Sequence, residues 1–287
     1  MKIYLSIILL ALLSTPIQSD EFAATLKIAE QGNASAQYNL GLMYATGEGV
    51  PENDKTAVKW YQKAAEQGYA PAQYDLGYRY SVGQDVPKNN KTAVIWYIKA
   101  AEQGHGEAQT NLGLIYATGD GVPKNFKTAA MWWTKAAEQG YAVAQTNLAV
   151  LHDNGDGVPE NDITAAMWAT KAAEQGNKNA QFNLGDMYAK GDGVPKNFKT
   201  AAMWWTKAAE QGYASAQYSL GLTYANGDGM PESYMKAYVW WSMAKASGHE
   251  KAQRSIDIIK EKMAKTQIAE AQLIAAKCYE SDYKDCY

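Results

Sequence analysis

The dipeptide Ala-Gln returns every 36 residues, at Ala36-Gln37, Ala72-Gln73, Ala108-Gln109, Ala144-Gln145, Ala180-Gln181, Ala216-Gln217 and Ala252-Gln253. Tryptophan keeps the interval at Trp60, Trp96, Trp132, Trp168, Trp204 and Trp240, and proline at Pro51, Pro87, Pro123, Pro159, Pro195 and Pro231. No other property constrains the fold as strongly. A unit of this size cannot bury an apolar face alone, so units must stack on their neighbours as a solenoid.

Residues 105–140 show how one unit is built. Ala108, Leu112, Gly113 and Tyr116 share one helical stripe. Gly119 is placed to cap that helix in the left-handed region, and Pro123 forces Val122 into extended backbone. Asn125 then stands as the N-cap of a second helix, with equivalents at Asn53, Asn89, Asn161, Asn197 and Ser233. That helix turns Ala129, Trp132, Ala136 and Ala137 to the core and stops at Gly140. The expected fold is all-α, an α/α solenoid of helix-turn-helix repeats. Its six full units span 33–68, 69–104, 105–140, 141–176, 177–212 and 213–248, after a partial repeat at 20–32.

Residues 249–287 read as a cap, with Asp257 and Lys260 where the frame has glycine and tyrosine. A last helix from Thr266 is expected to cover the open end through Ala269, Ala271, Leu273 and Ala276. Residues 121–142 and 193–214 are identical, which points to duplication of a 72-residue block.

Residues 1–19 read as a secretory signal: Lys2, an apolar run from Ile3 to Leu13, then Ile17-Gln18-Ser19 before Asp20. The run is eleven residues, short of the ~20 a spanning helix needs. Cleavage near Ser19 is therefore expected, with a retained tether as the alternative. A cleaved chain would be periplasmic or secreted, without membrane insertion. The formal charge of -3, or -4 without Lys2, offers no footprint for nucleic acid. Lys63, Lys99, Lys135, Lys171 and Lys207 recur with the repeat and read as one solvated face.

The two cysteines, Cys278 and Cys286, are expected to pair in an oxidising compartment. Continuous helix between them would hold their Cα atoms ~12 Å apart, beyond the ~7 Å a disulfide tolerates. The helix must therefore break, near Ser281-Asp282.

The run Ala-x-Ala-Gln-x-x-Leu-Gly-x-x-Tyr-x-x-Gly-x-Gly-Val-Pro, followed by Ala-x-x-Trp-x-x-Lys-Ala-Ala-Glu-Gln-Gly, resembles the Sel-one-like repeat family, relatives of the tetratricopeptide superfamily. The resemblance covers nearly all of the chain after the leader. It implies a right-handed superhelix and an adaptor role between proteins. Exported bacterial members are scaffolds, periplasmic regulators or factors acting on host cells. Relatives with a disulfide in every repeat have been associated with activity toward penicillin-like compounds. No cysteine lies inside a repeat of this chain, which weakens that implication.

Few residues offer chemistry. His105 and His249 occupy the turn position held elsewhere by Tyr69, Tyr141 and Tyr213, and His152 reads as a hydrogen-bonded core histidine in a tyrosine position. Neither HExxH nor paired CxxC spacing occurs, so no metal and no cofactor is expected. The Gly-Asp-Gly loops at 119–121, 155–157, 191–193 and 227–229 lack the lysine of a P-loop and the last glutamate of a calcium loop. They read as helix-capping loops. With the first ring of each Trp-Trp pair taken as core, Trp133, Trp205 and Trp241 remain as weak candidates for a sugar-stacking strip.

Positions that vary between repeats are free to specialise. By the tetratricopeptide arrangement, first helices line the concave face, and two rows should look into the groove. One is Tyr38, Tyr74, Thr110, Thr146, Phe182 and Tyr218; the other is Leu42, Tyr78, Leu114, Val150, Asp186 and Leu222. Asp75, Asp153 and Asp186 add charge nearby. Aromatic anchors with a few charges suit a protein or peptide partner, although the same side chains also suit packing between first helices. The fourth unit departs most, with Ala149 for glycine, His152 for tyrosine and Ala169 for the second ring; the lost ring volume is expected to leave a notch or bend. The expected function is that of an exported, monomeric, non-enzymatic scaffold. A secreted factor engaging host proteins and a hydrolase of the beta-lactamase type are the alternatives.

Overall fold

The computed structural model describes residues 16–283 and Cys286, so the apolar run of the leader lies outside the described residues. Among them there are fifteen α-helices and no strand. They form two compact units that divide between Lys124 and Asn125. The first holds α1 (Pro16–Glu30), α2 (Ala34–Thr46), α3 (Asp54–Glu66), α4 (Ala70–Val82), α5 (Asn90–Glu102) and α6 (Gly106–Thr118). The second holds α7 (Phe126–Glu138), α8 (Ala142–Asn154), α9 (Asp162–Glu174), α10 (Lys178–Lys190), α11 (Phe198–Ala209), α12 (Ala214–Asn226), α13 (Tyr234–Ala246), α14 (Ala252–Lys260) and α15 (Lys265–Glu280). Helix α1 begins ahead of the expected cleavage point, and its Ala29 is buried with Phe22 and Leu26 packed around it.

Each repeat is a helical hairpin, and its second helix packs on the first helix of the following repeat, as α3 does on α4 and α9 on α10. The ends are set locally. Gly119 closes α6 at φ 82°, where its N–H reaches the Ile115 carbonyl. Asn53, Asn89, Asn125, Asn161, Asn197 and Ser233 each accept the N–H three residues on. The cap's own N–H returns to the preceding helix, Asn161 to the His152 carbonyl at 2.8 Å and Asn197 to that of Tyr188 at 2.7 Å. The loop between the two helices is thus pinned at both ends.

The repeating Ala-Gln is a three-helix fastener. Gln73 is buried; its Nε2 donates to the Ala65 carbonyl at the end of α3 at 3.0 Å, and its Oε1 accepts from Gln103 at the end of α5 at 2.7 Å. The same pairs form at Gln37, Gln145 and Gln181. Alanine precedes it because that position faces the neighbouring helix, with Ala72 and Ala144 fully buried.

Four of the repeats also set a first-helix glycine against the second ring of the second helix. A methyl added at Gly41 or Gly77 would stand 2.7 Å from the rings of Tyr61 or Tyr97, and Gly185 and Gly221 face Trp205 and Trp241 in the same way. The second ring is thus core as well as the first, which is buried as expected at Trp132, Trp168, Trp204 and Trp240; the first two repeats depart from this. Tyr61 and Tyr97 are 1% and 2% exposed, whereas Trp60 and Trp96 are only half-buried. Trp133, Trp205 and Trp241 are therefore core residues, removed from any sugar-stacking strip. The first indoles sit beneath the recurring lysines, with Lys63 Nζ 3.9 Å above Trp60 and Lys207 Nζ 4.2 Å above Trp204. The lysine face is a lid on these rings, which are half-buried at Trp60 and Trp96 and buried at Trp132, Trp168 and Trp204.

Two further corrections concern the ends and the fourth repeat. Helix α15 packs on α13 through Ile268, Ala271, Ala275 and Cys278; Leu273 is 66% exposed, and Ala269 and Ala276 also face solvent. Of the expected capping residues, Ala271 is buried, while Ala269, Leu273 and Ala276 are not on the capping face. His152 is half-exposed rather than core, its Nδ1 3.4 Å from the Pro159 carbonyl oxygen. Cys278 and Cys286 are disulfide-bonded, their Cα atoms 4.3 Å apart. The helix stops at Glu280, and Asp282 and Tyr283 turn through positive φ to bring the chain back, where the sequence requires a break.

Candidate functional site

Adjacent rows on the first helices differ in character, although residues four apart on a helix lie side by side. In the first unit, Tyr38 packs against Tyr61 and Tyr69 with ring centroids 5.6 and 5.4 Å away, and Tyr74 stacks on His105 at 4.7 Å. Thr110 donates to the Gly106 carbonyl. In the second unit, Thr146 donates to the Ala142 carbonyl, Phe182 packs on Tyr213 at 5.1 Å, and Tyr218 stacks on His249 at 4.1 Å. This row fills space between successive repeats. The next row is open. Leu42, Tyr78 and Leu114 are 38%, 46% and 53% exposed in the first unit, and Val150 and Leu222 stand exposed in the second.

Asp186 is the exception in that open row. It is half-buried and accepts from Trp205 Nε1 at 3.0 Å. Beside it lies a cavity of about 210 Å³, lined chiefly by Ala149, Val150, Asp153, Asp186, Met187 and Lys190. Burial pushes the carboxyls of Asp153 and Asp186 above the usual range, with the Lys190 ammonium pulling both partly back. Lys190 is 3.8 Å from Asp192 on the exposed side.

The first unit carries its own polar cluster. Tyr38 and Asp75 are neighbours, and burial raises both groups, with the Asp75 charge adding to the rise at Tyr38. Burial pushes Tyr61 up to about 12. Arg79, 9% exposed, replaces the apolar residue found at Met43 and Met187, and forms an ion pair with Asp85. Asp85 in turn replaces the loop glycine and adopts φ 60°. Sequence reasoning missed this pair and the cavity's Lys190. Their signal was a departure from the repeat frame, visible only once the paired positions are known. Among the described residues no group of three His, Cys, Asp or Glu side chains is arranged to hold a metal, and no helix is long and apolar enough to cross a membrane.

The Sel1 repeat model matches six times in succession, at residues 34–69, 70–105, 106–141, 142–177, 178–213 and 214–249. The chain belongs to the Sel1 repeat family. Its structure is similar to that of a Sel1 repeat protein from Oxalobacter formigenes, with a TM-score of 0.69 and 36% identity over 79% of this chain and 91% of that one. It also resembles a protective antigen present in uropathogenic Escherichia coli strains, at TM-score 0.45 and 29% identity over 94% of this chain and 73% of the other. A Sel1 repeat protein from Klebsiella pneumoniae aligns at TM-score 0.45 and 24% identity, over 71% and 99%. No curated protein is similar to the chain. The Sel1 repeat is a scaffold fold associated with protein–protein interaction.

Proposed function

We propose that this Sel1 repeat protein is an exported, non-enzymatic scaffold that binds a protein or peptide partner along its first helices. The observation that carries the reading is the open row of large apolar side chains held on a rigid frame. Leu42, Tyr78 and Leu114 in the first unit, and Val150 and Leu222 in the second, stay exposed while the frame residues Leu40, Leu76, Leu112, Leu148 and Leu220 beside them are buried. Exposed apolar side chains at a regular spacing on fixed helices suit the anchors of a partner helix or strand. Export is supported by the sequence of residues 1–19 and by the Cys278–Cys286 disulfide, which is compatible with an oxidising compartment.

A photo-cross-linking side chain at Tyr78 or Leu222, compared with one at Lys59 or Lys199 on the second helices, tests the reading in the native compartment. The first pair should yield a discrete protein adduct that the second pair does not. Identical adducts from both faces would remove the assignment of the binding face. Export is tested separately, by the N-terminus of the chain recovered from outside the cytoplasm, expected near Asp20.

A further inference from the structure

Three departures from the repeat frame line one cavity in the second unit, and a fourth accompanies them. The frame pairs a first-helix glycine with a second-helix ring, but the fourth repeat has Ala149 and Ala169 instead, both 1% exposed. Asp153 stands where other repeats have Ala45, Ser81, Ala117, Ala189 and Ala225, and Asp186 where they have leucine, tyrosine or valine. Separated along the chain, Ala149, Asp153 and Asp186 converge on the cavity of about 210 Å³. Met187 in its wall is the equivalent of Arg79, which lies 5.0 Å from the centroid of the Tyr61 ring, so a ring at position 169 would reach toward this space.

The cavity is smaller than the ~300–1,000 Å³ of small-molecule pockets and larger than the ~30 Å³ of one water. That is the scale of a single long side chain. Ala149, Val150 and Met187 supply an apolar wall, while Asp153, Asp186 and Asp192 outnumber Lys190 in charge. Lys190 is 67% exposed, so it can leave without opening the core. Burial holds two carboxylates in a state that a nearby cation would relieve.

We propose that this cavity receives one lysine or arginine side chain of the partner protein, its aliphatic stem against Val150 and Met187 and its cationic head between Asp153 and Asp186. Long basic side chains divide in this way between an apolar stem and a charged tip. The proposal rests on the scaffold reading and assigns the chemistry of one anchor.

The Trp205 indole N–H donates to Asp186, so its ¹H–¹⁵N resonance reports on the site. The labelled full chain is titrated with acetyl-Ala-X-Ala-amide, where X is lysine, arginine, norleucine or glutamate. The lysine and arginine peptides should shift the Trp205 resonance saturably, and the norleucine and glutamate peptides should not. Asp153→Asn and Asp186→Asn should each weaken the response about tenfold or more. The double change Ala149→Gly with Ala169→Trp restores the glycine–ring pairing of the neighbouring repeats, so it should fold while filling the cavity and abolishing the response.

An equal response to norleucine, no response to either basic peptide, or undiminished binding in the asparagine or cavity-filled variants would each overturn the proposal. So would a saturable response to calcium or magnesium in place of the basic peptides. Discrete adducts at Tyr78 and Leu222 without a basic-peptide response would leave the scaffold standing and remove only this anchor.

Discussion

The buried glutamine accounts for the invariance of Ala-Gln better than any surface role. Its amide satisfies a helix-end carbonyl of the preceding repeat and the terminal glutamine of its own. The last repeat breaks the pattern: Ser247 replaces that second glutamine, and the buried Gln217 Oε1 has no hydrogen-bond partner. Ser247→Gln should therefore stabilise the protein, by about 0.5–1.5 kcal/mol in denaturant unfolding. The change gives up a 3.4 Å contact of the serine with the Tyr283 hydroxyl, a weaker bond than the one gained. Arg79 and Asp85 form a second residue-scale unit. Arg79→Met or Asp85→Gly alone should each destabilise, Asp85→Gly by about 3 kcal/mol because it leaves a buried guanidinium unpaired. The double variant matches the other repeats and should recover most of the loss in a double-mutant cycle. Additive losses would show that the two positions do not act together.

Between elements, the cavity wall shared by α8 and α10 makes stability depend on pH. Asp153 and Asp186 have raised folded-state pKa values because burial disfavours their charge, so the folded chain holds protons that the unfolded chain releases. Their favourable contribution is present below about pH 3.9 and is lost as pH rises through the shifted values. Asp186→Asn should consequently raise the melting temperature at pH 7 and leave it unchanged at the acid limit. The asparagine can still accept from Trp205. At the C-terminal end, α15 packs on α13 and is tied back by the Cys278–Cys286 disulfide. Replacing both cysteines by alanine should cost about 2–3 kcal/mol. Hydrogen exchange should locate the loss in residues 265–286, because the tie acts on a terminal helix and not on the repeat frame.

For the whole molecule, repeat architecture predicts tolerance to changes in repeat number. Each hairpin packs on its immediate neighbours within its unit, so stability accumulates repeat by repeat. Deleting residues 141–212 joins two copies of the duplicated segment in register. The shortened chain should fold with unchanged helicity per residue by circular dichroism, and melt at a lower temperature. Loss of cooperative unfolding would contradict nearest-neighbour construction.

How legible the fold was depends on what periodicity measures. The interval of 36, the helix pairs, the capping asparagines and the break between the cysteines all follow from local rules, and each is observed. Periodicity gives the direction a helix face points but not its depth. Trp60 and Tyr61 are adjacent and both aromatic, so only the approach of the Gly41 backbone decides that Tyr61 is the deeper. The candidate rows behave the same way: Tyr38 and Leu42 lie one turn apart, yet only Leu42 is open. The sequence by itself determined the repeat, its helices and its family, because those rest on interactions within one unit and its repetition. Only the tertiary structure decided that the second rings are core too, and that Ala149, Asp153 and Asp186 share a cavity. Those facts depend on side chains of different repeats meeting in space, and no spacing along a single chain records that meeting.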